Sequence, residues 1–433
     1  MKLVWIVNSM PAGFAAALAQ PAPASGGWVS AQIEALAALP EMRLLVLCPA
    51  AGKTPRRAEA NGVRYAEFPR AARPWRYSAA QERFFAELFA REKPDVVHLF
   101  GTEFPHTLAA LRSAPAARTL VSVQGFAGAV AQHYLDGLPP RFSHANLLQR
   151  AADALVGVDA AALTQRHYAA RGQYEREALL LARHAVGRTA WDEAFVRAIN
   201  PRVQYHRCCE TLRAPFYAAR WQAQTCVPHT IFISQANYPI KGMHMLLQAL
   251  PLVRAQFADV QVQVAGYPRV RVGGAALRPL VDVLFDYQAY LEKLARTLCV
   301  DDCVHYMGTQ NAAQMCGAYC AANVFVCPSS IENSSNSLGE AMLLGMPCVA
   351  SSVGGTPDML GEGEGILYPF ADAHALAAAI CRVFSAPAEA AAMGRRARAH
   401  ALRTHDAAAN TRCLLALYEQ AAQGFPAQQP PCG

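Results

Sequence analysis

Short apolar runs alternate with amphipathic stretches along most of this chain, and that rhythm restricts the fold more than any other feature. In the first part, residues 3–7, 44–47, 63–67, 96–99 and 119–123 read as strands, and 29–38, 80–91 and 106–111 as helices. Strands that are apolar throughout and separated by helices form a parallel sheet covered on both faces. An irregular stretch follows to residue 220. The rhythm then restarts, with strands at 230–234, 260–265, 304–306, 324–327 and 348–350 and helices at 242–257, 287–298, 312–321, 338–344 and 373–384. The expected class is α/β, with two Rossmann-like units. They cover 1–221 and 222–404, followed by a helix in 405–423 and a Pro-rich tail at 424–433.

At 433 residues and 53% hydrophobic content, the chain can bury two domain-sized cores. Lys2, the apolar run after it and Ala16-Ala17-Leu18-Ala19 imitate a secretory leader. The apolar run is nevertheless broken at Asn8-Ser9-Met10-Pro11, too early for a signal core. No apolar run approaches the ~20 residues of a membrane span. The cysteines fall irregularly, often singly in apolar stretches such as Cys48, Cys299, Cys327 and Cys348, a pattern of reduced thiols that implies a cytoplasmic protein. Neither Cys208-Cys209 nor the Cys316 to Cys320 spacing makes a metal set.

The formal charge of +7 is concentrated in the first half. Arg56, Arg57, Arg64, Arg70, Arg73 and Arg76 are interleaved there with Tyr65, Phe68, Trp75 and Tyr77. That mixture suits an anionic membrane surface or a phosphorylated partner, and equally a solvated Arg-rich face. Nothing points to nucleic acid as a partner.

The most informative window runs Ile331-Glu332-Asn333-Ser334-Ser335-Asn336-Ser337-Leu338-Gly339-Glu340, after a buried strand and into a helix that ends at Gly345. In open α/β sheets ligands bind beyond the carboxyl ends of the strands, and a helix start there favours a phosphate. Small residues let an anion approach the backbone. Ser337-Leu338-Gly339-Glu340 also fits a capping box, which would give Glu340 a local structural role. Lys241, at another helix start, sits at the positive end of a dipole, a position that suits a cation only if an anion is also present.

The Glu-x7-Glu pattern, the Val353-Gly354-Gly355-Thr356-Pro357-Asp358 turn and Lys241-Gly242 resemble the family 4 retaining glycosyltransferases, over most of the C-terminal domain. The resemblance implies a GT-B architecture, two Rossmann-like domains with parallel sheets facing across a cleft, with the helix in 405–423 crossing back to the N-terminal domain. It also implies that Glu340 binds the nucleotide ribose, Glu332 faces the donor sugar and Lys241 neutralises the diphosphate. Glu332 and Lys241 are thus the expected catalytic pair, and Ser335, Asn336, Ser337, Leu338, Gln235 and Met307 join Glu340 as expected donor contacts. Gly26-Gly27 resembles the family's N-terminal glycine loop, which adds Gly27.

His98, Glu103 and Gln124 end strands of the first half and are expected to contact the acceptor or sugar. Many family members carry His where Gln124 stands and Arg where Gln235 stands. The block Gly187-Arg188-Thr189-Ala190-Trp191-Asp192, followed by Glu210-Thr211-Leu212-Arg213 and Phe216-Tyr217, resembles a subset of bacterial polysaccharide glycosyltransferases in this family. Arg188 either supplies the missing phosphate charge or pairs with Asp192 one helical turn on.

The expectation is a retaining, metal-independent glycosyltransferase. It would move a sugar from a nucleoside-diphosphate sugar, a co-substrate with no separate cofactor, to a glycan or lipid-diphosphate-linked saccharide. No DxD motif is available for a metal–diphosphate: Asp301-Asp302 precedes Cys303. The implied location is cytoplasmic, peripheral on the inner membrane face. A nucleotide-sugar epimerase of the same architecture and a non-catalytic two-domain sugar-binding protein fit the same pattern.

Overall fold

The computed structural model describes residues 1–21, 27–52, 54–155, 160–266 and 278–425. Contacts divide the chain into two units. One comprises Met1–Gly128, Ala170–Thr211 and the chain from Asp406 onward, and the other Ala129–Ala169 with Leu212–His405. The change of unit falls at Thr211–Leu212, ahead of the polar connection at 222–229.

The first unit holds, among the described residues, the strands β1 (Lys2–Ile6), β2 (Arg43–Pro49), β3 (Arg57–Ala60), β4 (Val63–Phe68), β5 (Val96–Phe100), β6 (Thr119–Ser122), β7 (His184–Gly187) and β8 (Gln204–Arg207). Their order is β3-β4-β2-β1-β5-β6-β7-β8, parallel except for the β3–β4 hairpin. Period-two alternation assigns each strand to two cores at once. In β1 and just after it, Leu3, Trp5 and Val7 join one cluster with Val46 and Tyr418, while Val4 and Ile6 join another with Leu47, Phe85 and Leu108. Helix Ala407–Ala422 belongs to the first of these through Leu414, Leu417, Tyr418 and Ala421.

The stretch that looked irregular is ordered. It contains the 21-residue helix Ala161–Leu181 and the strands β7 and β8, which complete the first sheet. Neither strand carries the usual apolar run: β7 is His-Ala-Val-Gly, and β8, at the sheet edge, is Gln-Tyr-His-Arg.

The second unit repeats the plan with β9 (Thr230–Ile233), β10 (Gln261–Val264), β11 (Val304–Tyr306), β12 (Val324–Cys327), β13 (Cys348–Ser351) and β14 (Ile366–Tyr368). Among the described residues they form a parallel sheet ordered β11-β10-β9-β12-β13-β14. Ile231, Ile233, Val262, Val264, Val324 and Val326 face one core, and Phe232, Phe325, Cys327 and Cys348 the other. Among the described residues, no single helix is long and apolar enough to cross a membrane.

Candidate functional site

Strand order reverses between β9 and β12, since the chain proceeds from β9 outward to β11 and then returns to β12 on the other side. Their carboxyl ends flank the switch point where open α/β sheets bind ligands. After β9 a 3-10 turn, Pro239–Lys241, leads into Gly242 with φ +69. A Cβ at that position would overlap the carbonyl oxygen of Pro328, so glycine alone lets this turn lie on the segment after β12. Ser330 N–H donates to Ile240 O at 2.9 Å and fastens the two together.

This approach brings Lys241 to Glu332. The ammonium donates to Glu332 Oε1 at 2.6 Å, and Ser329 Oγ donates to the same oxygen at 2.7 Å. Burial alone would lower the Lys241 pKa, but the Glu332 carboxylate outweighs it and holds the ammonium well above its ordinary range. The Tyr238 ring lies 5.8 Å from Lys241 Nζ, and Tyr238 Oη donates to Gln235 Oε1 at 3.1 Å. Behind Glu332, Gly355 N–H donates to its carbonyl at 3.0 Å. Gly354, at φ +51, is in such close contact that any Cβ would collide with that carbonyl.

The following helix, Asn336–Leu344, starts earlier than the capping-box reading required. Its N-cap is Ser335, whose hydroxyl accepts from Leu338 N–H at 3.4 Å. Ser337 therefore lies inside the first turn, and its carbonyl accepts from Tyr319 Oη at 3.0 Å. The capping box is not formed. Glu340 faces inward instead, 3% exposed, and receives Arg213 Nε and Nη2 at 2.5 and 2.6 Å. Burial raises its carboxyl above the usual range against the lowering effect of Arg213. Leu338 is wholly buried, so only its backbone can meet a ligand; Met307 is partly exposed, with its N–H on Val264 O at 2.9 Å.

In the first unit the predicted residues divide. His98 is 1% exposed, with Nδ1 2.6 Å from Tyr418 Oη and Nε2 2.7 Å from Ser122 Oγ. Burial lowers its pKa to about 3. This neutral imidazole ties the last helix to the sheet and, with Ser122, lines a small pocket beside Gln124 and Arg188. Gln124 Nε2 donates to Glu210 Oε1 at 2.7 Å, and Arg188 Nη1 to Glu210 Oε2 at 2.6 Å. Glu210, itself buried, thus organises both and lines a small pocket with them. Asp192 accepts from the backbone N–H of Arg188 and Thr189 and completes a capping box with Thr189.

Gly27 opens helix Gly27–Ala37, while its partner Gly26 lies outside the described residues. Glu103, half-buried, follows β5 and accepts from Asn8 Nδ2 at 3.2 Å. Asn8, Ser329 and Glu175 have no signature in the sequence; Glu210 and Arg213 stand in a block that the resemblance singles out, but no local spacing joins residues as distant as Arg213 and Glu340. Among the described residues no group of three or more His, Cys, Asp or Glu side chains is arranged to hold a metal ion. In the Arg-rich segment, Arg56 pairs with Glu67 and Arg64 with Glu92, and Arg70 and Arg76 are exposed.

Residues 227–386 match the family model described as glycosyl transferases group 1. The MMP alpha-(1->4)-mannosyltransferase of Mycolicibacterium hassiacum is 29% identical over 193 residues, 44% of this chain and 43% of that protein. The D-inositol 3-phosphate glycosyltransferase of Saccharomonospora viridis is 30% identical over 238 residues, 53% and 51% of the two chains. The chain thus matches about half the length of these curated relatives or less. Among solved structures, sucrose-phosphate synthase from Thermosynechococcus elongatus superposes with TM-score 0.69 at 21% identity, covering 97% of this chain and 98% of that one. Anabaena HepE in complex with UDP-glucose does so with TM-score 0.64 at 16% identity, covering 97% and 100%. The fold is GT-B, two parallel-sheet α/β domains.

Proposed function

We propose that this chain is a retaining, metal-independent glycosyltransferase. It takes a sugar from a nucleoside-diphosphate sugar and passes it to a glycan or lipid-diphosphate-linked saccharide in surface polysaccharide assembly. The observation that carries the reading is the contact of Lys241 and Ser329 with Glu332 at the β9–β12 switch point, followed by a helix with a buried Glu340. The match of residues 227–386 to glycosyl transferases group 1 supports it, as do the activities named for the relatives and the UDP-glucose held by HepE.

The chemistry follows from the residues. A diphosphate leaving group gains negative charge as the glycosidic bond breaks, and the Lys241 ammonium and the first turn of helix Asn336–Leu344 favour that charge. A carboxylate has about four lone-pair sites. Arg213 occupies one on each oxygen of Glu340, and the remaining sites suit a vicinal ribose diol. In the retaining step the departing phosphate receives the proton of the acceptor hydroxyl on the same face of the sugar.

A thermal-shift series with UDP, GDP and ADP tests the donor site, because binding to the folded state raises apparent stability. One nucleotide stabilises the wild type and loses most of its effect on Glu340→Gln; no shift with any of them counts against the reading. Methanol as a surrogate acceptor gives a methyl glycoside of retained configuration by NMR, and an inverted product rules retention out. Arg70 and Arg76 support docking on the cytoplasmic face of the inner membrane. Flotation with anionic liposomes at low salt then carries the protein upward, and a protein left wholly in the dense fraction ends that part of the reading.

A further inference from the structure

The first sheet has a switch point of its own. Strand order reverses between β1 and β5, and the residues just past their carboxyl ends are Asn8 and Glu103. The same rule that marks the ends of β9 and β12 as a ligand site marks this place in the first unit. Glycine at 101, with φ +90, makes the arrangement possible, because a Cβ there would overlap both Glu103 Oε2 and Asn8 Nδ2.

The side chains form an oriented series. An ionised carboxylate only accepts hydrogen bonds, so the Asn8 amide nitrogen faces Glu103 Oε2, at 3.2 Å. Asn8 Oδ1 then faces His106 Nε2, at 2.9 Å, which must carry the proton. His106 is buried, and burial lowers its pKa to about 3, so it stays neutral and its tautomer is fixed. The series ends on a half-buried carboxylate that takes the Asn8 amide and its own backbone N–H, just past the carboxyl end of β5.

Resting on the glycosyltransferase reading, we infer that Glu103 binds the attacking hydroxyl of the acceptor, with His106 and Asn8 as its positioning residues. The carboxylate accepts the hydroxyl's hydrogen bond and fixes the direction of its oxygen lone pair; no proton is transferred to Glu103. The groups facing Glu103 are Asn8 after β1, Arg171 and Glu175 on helix Ala161–Leu181, and Arg188 after β7. Burial, the largest influence, pushes the carboxyl up to about 7 against the lowering effects of its own backbone N–H, Arg171, Asn8 and Arg188. The competent, ionised form therefore fills as pH rises through about 7.

The acceptor is unidentified, so the probes are water and methanol, with nucleotide release from UDP-glucose and GDP-mannose as the readout and nucleotide thermal shifts measured beside it. Glu103→Gln is expected to keep the wild-type melting temperature and nucleotide shift while turnover falls at least about tenfold, the loss of one charged hydrogen bond. Its rate no longer rises through pH 7. In Asn8→Ala the rise persists with its midpoint moved to higher pH, because a hydrogen bond that favours the carboxylate is gone. Wild-type turnover and pH profile in Glu103→Gln overturn the inference, and so does joint loss of stability and nucleotide binding, which marks a structural role. A wild type that binds no nucleotide defeats the donor reading, and this inference falls with it.

Discussion

Arg213 donates to both carboxylate oxygens of Glu340 across a sequence separation of 127 residues. Planar bidentate pairing is the geometry in which a guanidinium best compensates a buried carboxylate. The Arg213 guanidinium also lies 4.9 Å from the centre of the Phe216 ring, so its plane is held from a second direction. The carboxylate that the resemblance assigns to nucleotide binding is therefore fixed in place before any ligand arrives.

Arg213→Ala should destabilise the protein by about 3 kcal/mol, because it leaves a buried carboxylate without its partner. The penalty depends on pH. Burial already raises the Glu340 carboxyl and Arg213 opposes the rise, so losing Arg213 raises it further. A carboxyl that is protonated in the folded state and ionised in the unfolded one weakens folding as pH climbs above the unfolded value of about 4.3. Urea midpoints of variant and wild type should separate more at pH 8 than at pH 5.5, and a pH-independent gap would contradict the account.

Glu332 and Lys241 should respond in opposite directions to nucleotide. Lys241→Ala removes the cation and weakens diphosphate binding, with turnover reduced on the order of a hundredfold. Glu332→Gln removes a negative charge beside the same ammonium, so UDP or GDP binds a few-fold more tightly while turnover falls. Calorimetric titration of both variants checks the signs, and weaker nucleotide binding by Glu332→Gln would mean that its carboxylate does not compete with the diphosphate for Lys241.

Gly354→Ala should cost more than Gly62→Ala, although both glycines have positive φ. At Gly62 nothing lies within 4 Å of the place an alanine methyl would take, so the substitution incurs only the backbone penalty of about 1–2 kcal/mol. At Gly354 the methyl also collides with Glu332 O and must displace the loop that presents Glu332. Melting temperatures of the two variants report the first difference. Turnover reports the second, lost in Gly354→Ala and retained in Gly62→Ala.

Glu175 is 2% exposed and accepts from Thr102 Oγ1 at 2.8 Å and from the N–H groups of Ala127 and Gly128 at 3.0 and 2.9 Å. Burial pushes its carboxyl up to about 8 in spite of these donors, and the neighbouring Glu103 adds to the rise. The folded state then binds more protons than the unfolded state between about pH 4.3 and 8, so this group's contribution falls as pH rises through that window. Glu175→Gln cannot ionise. Its melting temperature relative to wild type should improve steadily from pH 5 to pH 8, and a constant difference would show that Glu175 is ionised throughout.

The sheets were legible because their strands are buried on both faces and read as continuous apolar runs. Val324–Cys327, buried at every position, falls where the sequence puts it, and so does Val304–Tyr306, although that edge strand is Val-His-Tyr and not buried. The β3–β4 hairpin was missed, although Asn61-Gly62, both at positive φ, is the two-residue turn such hairpins favour. Its Arg-Ala-Glu-Ala strand has no apolar pattern to find. At the site, the resemblance named Lys241, Glu332 and Glu340 and singled out the block that holds Glu210 and Arg213, but it could not supply the pairings. Arg213, Glu210 and Asn8 reach their contacts through tertiary packing alone, and Ser337 fitted a capping rule although Ser335 is the residue that caps the helix. His98 ends a strand as a ligand contact would, yet helix Ala407–Ala422 covers it.

That helix also sets a timetable. Leu414, Leu417, Tyr418 and Ala421 share a core with Leu3, Trp5 and Val7, so the unit whose first strand leaves the ribosome earliest is the last to close. Residues 129–405 already contain both segments of the other unit, which can finish while the end of the chain is still being made. A chain cut short before residue 407 keeps a complete second unit and an open apolar face on the first. Chaperones and proteases would meet that face as a signal of unfinished synthesis.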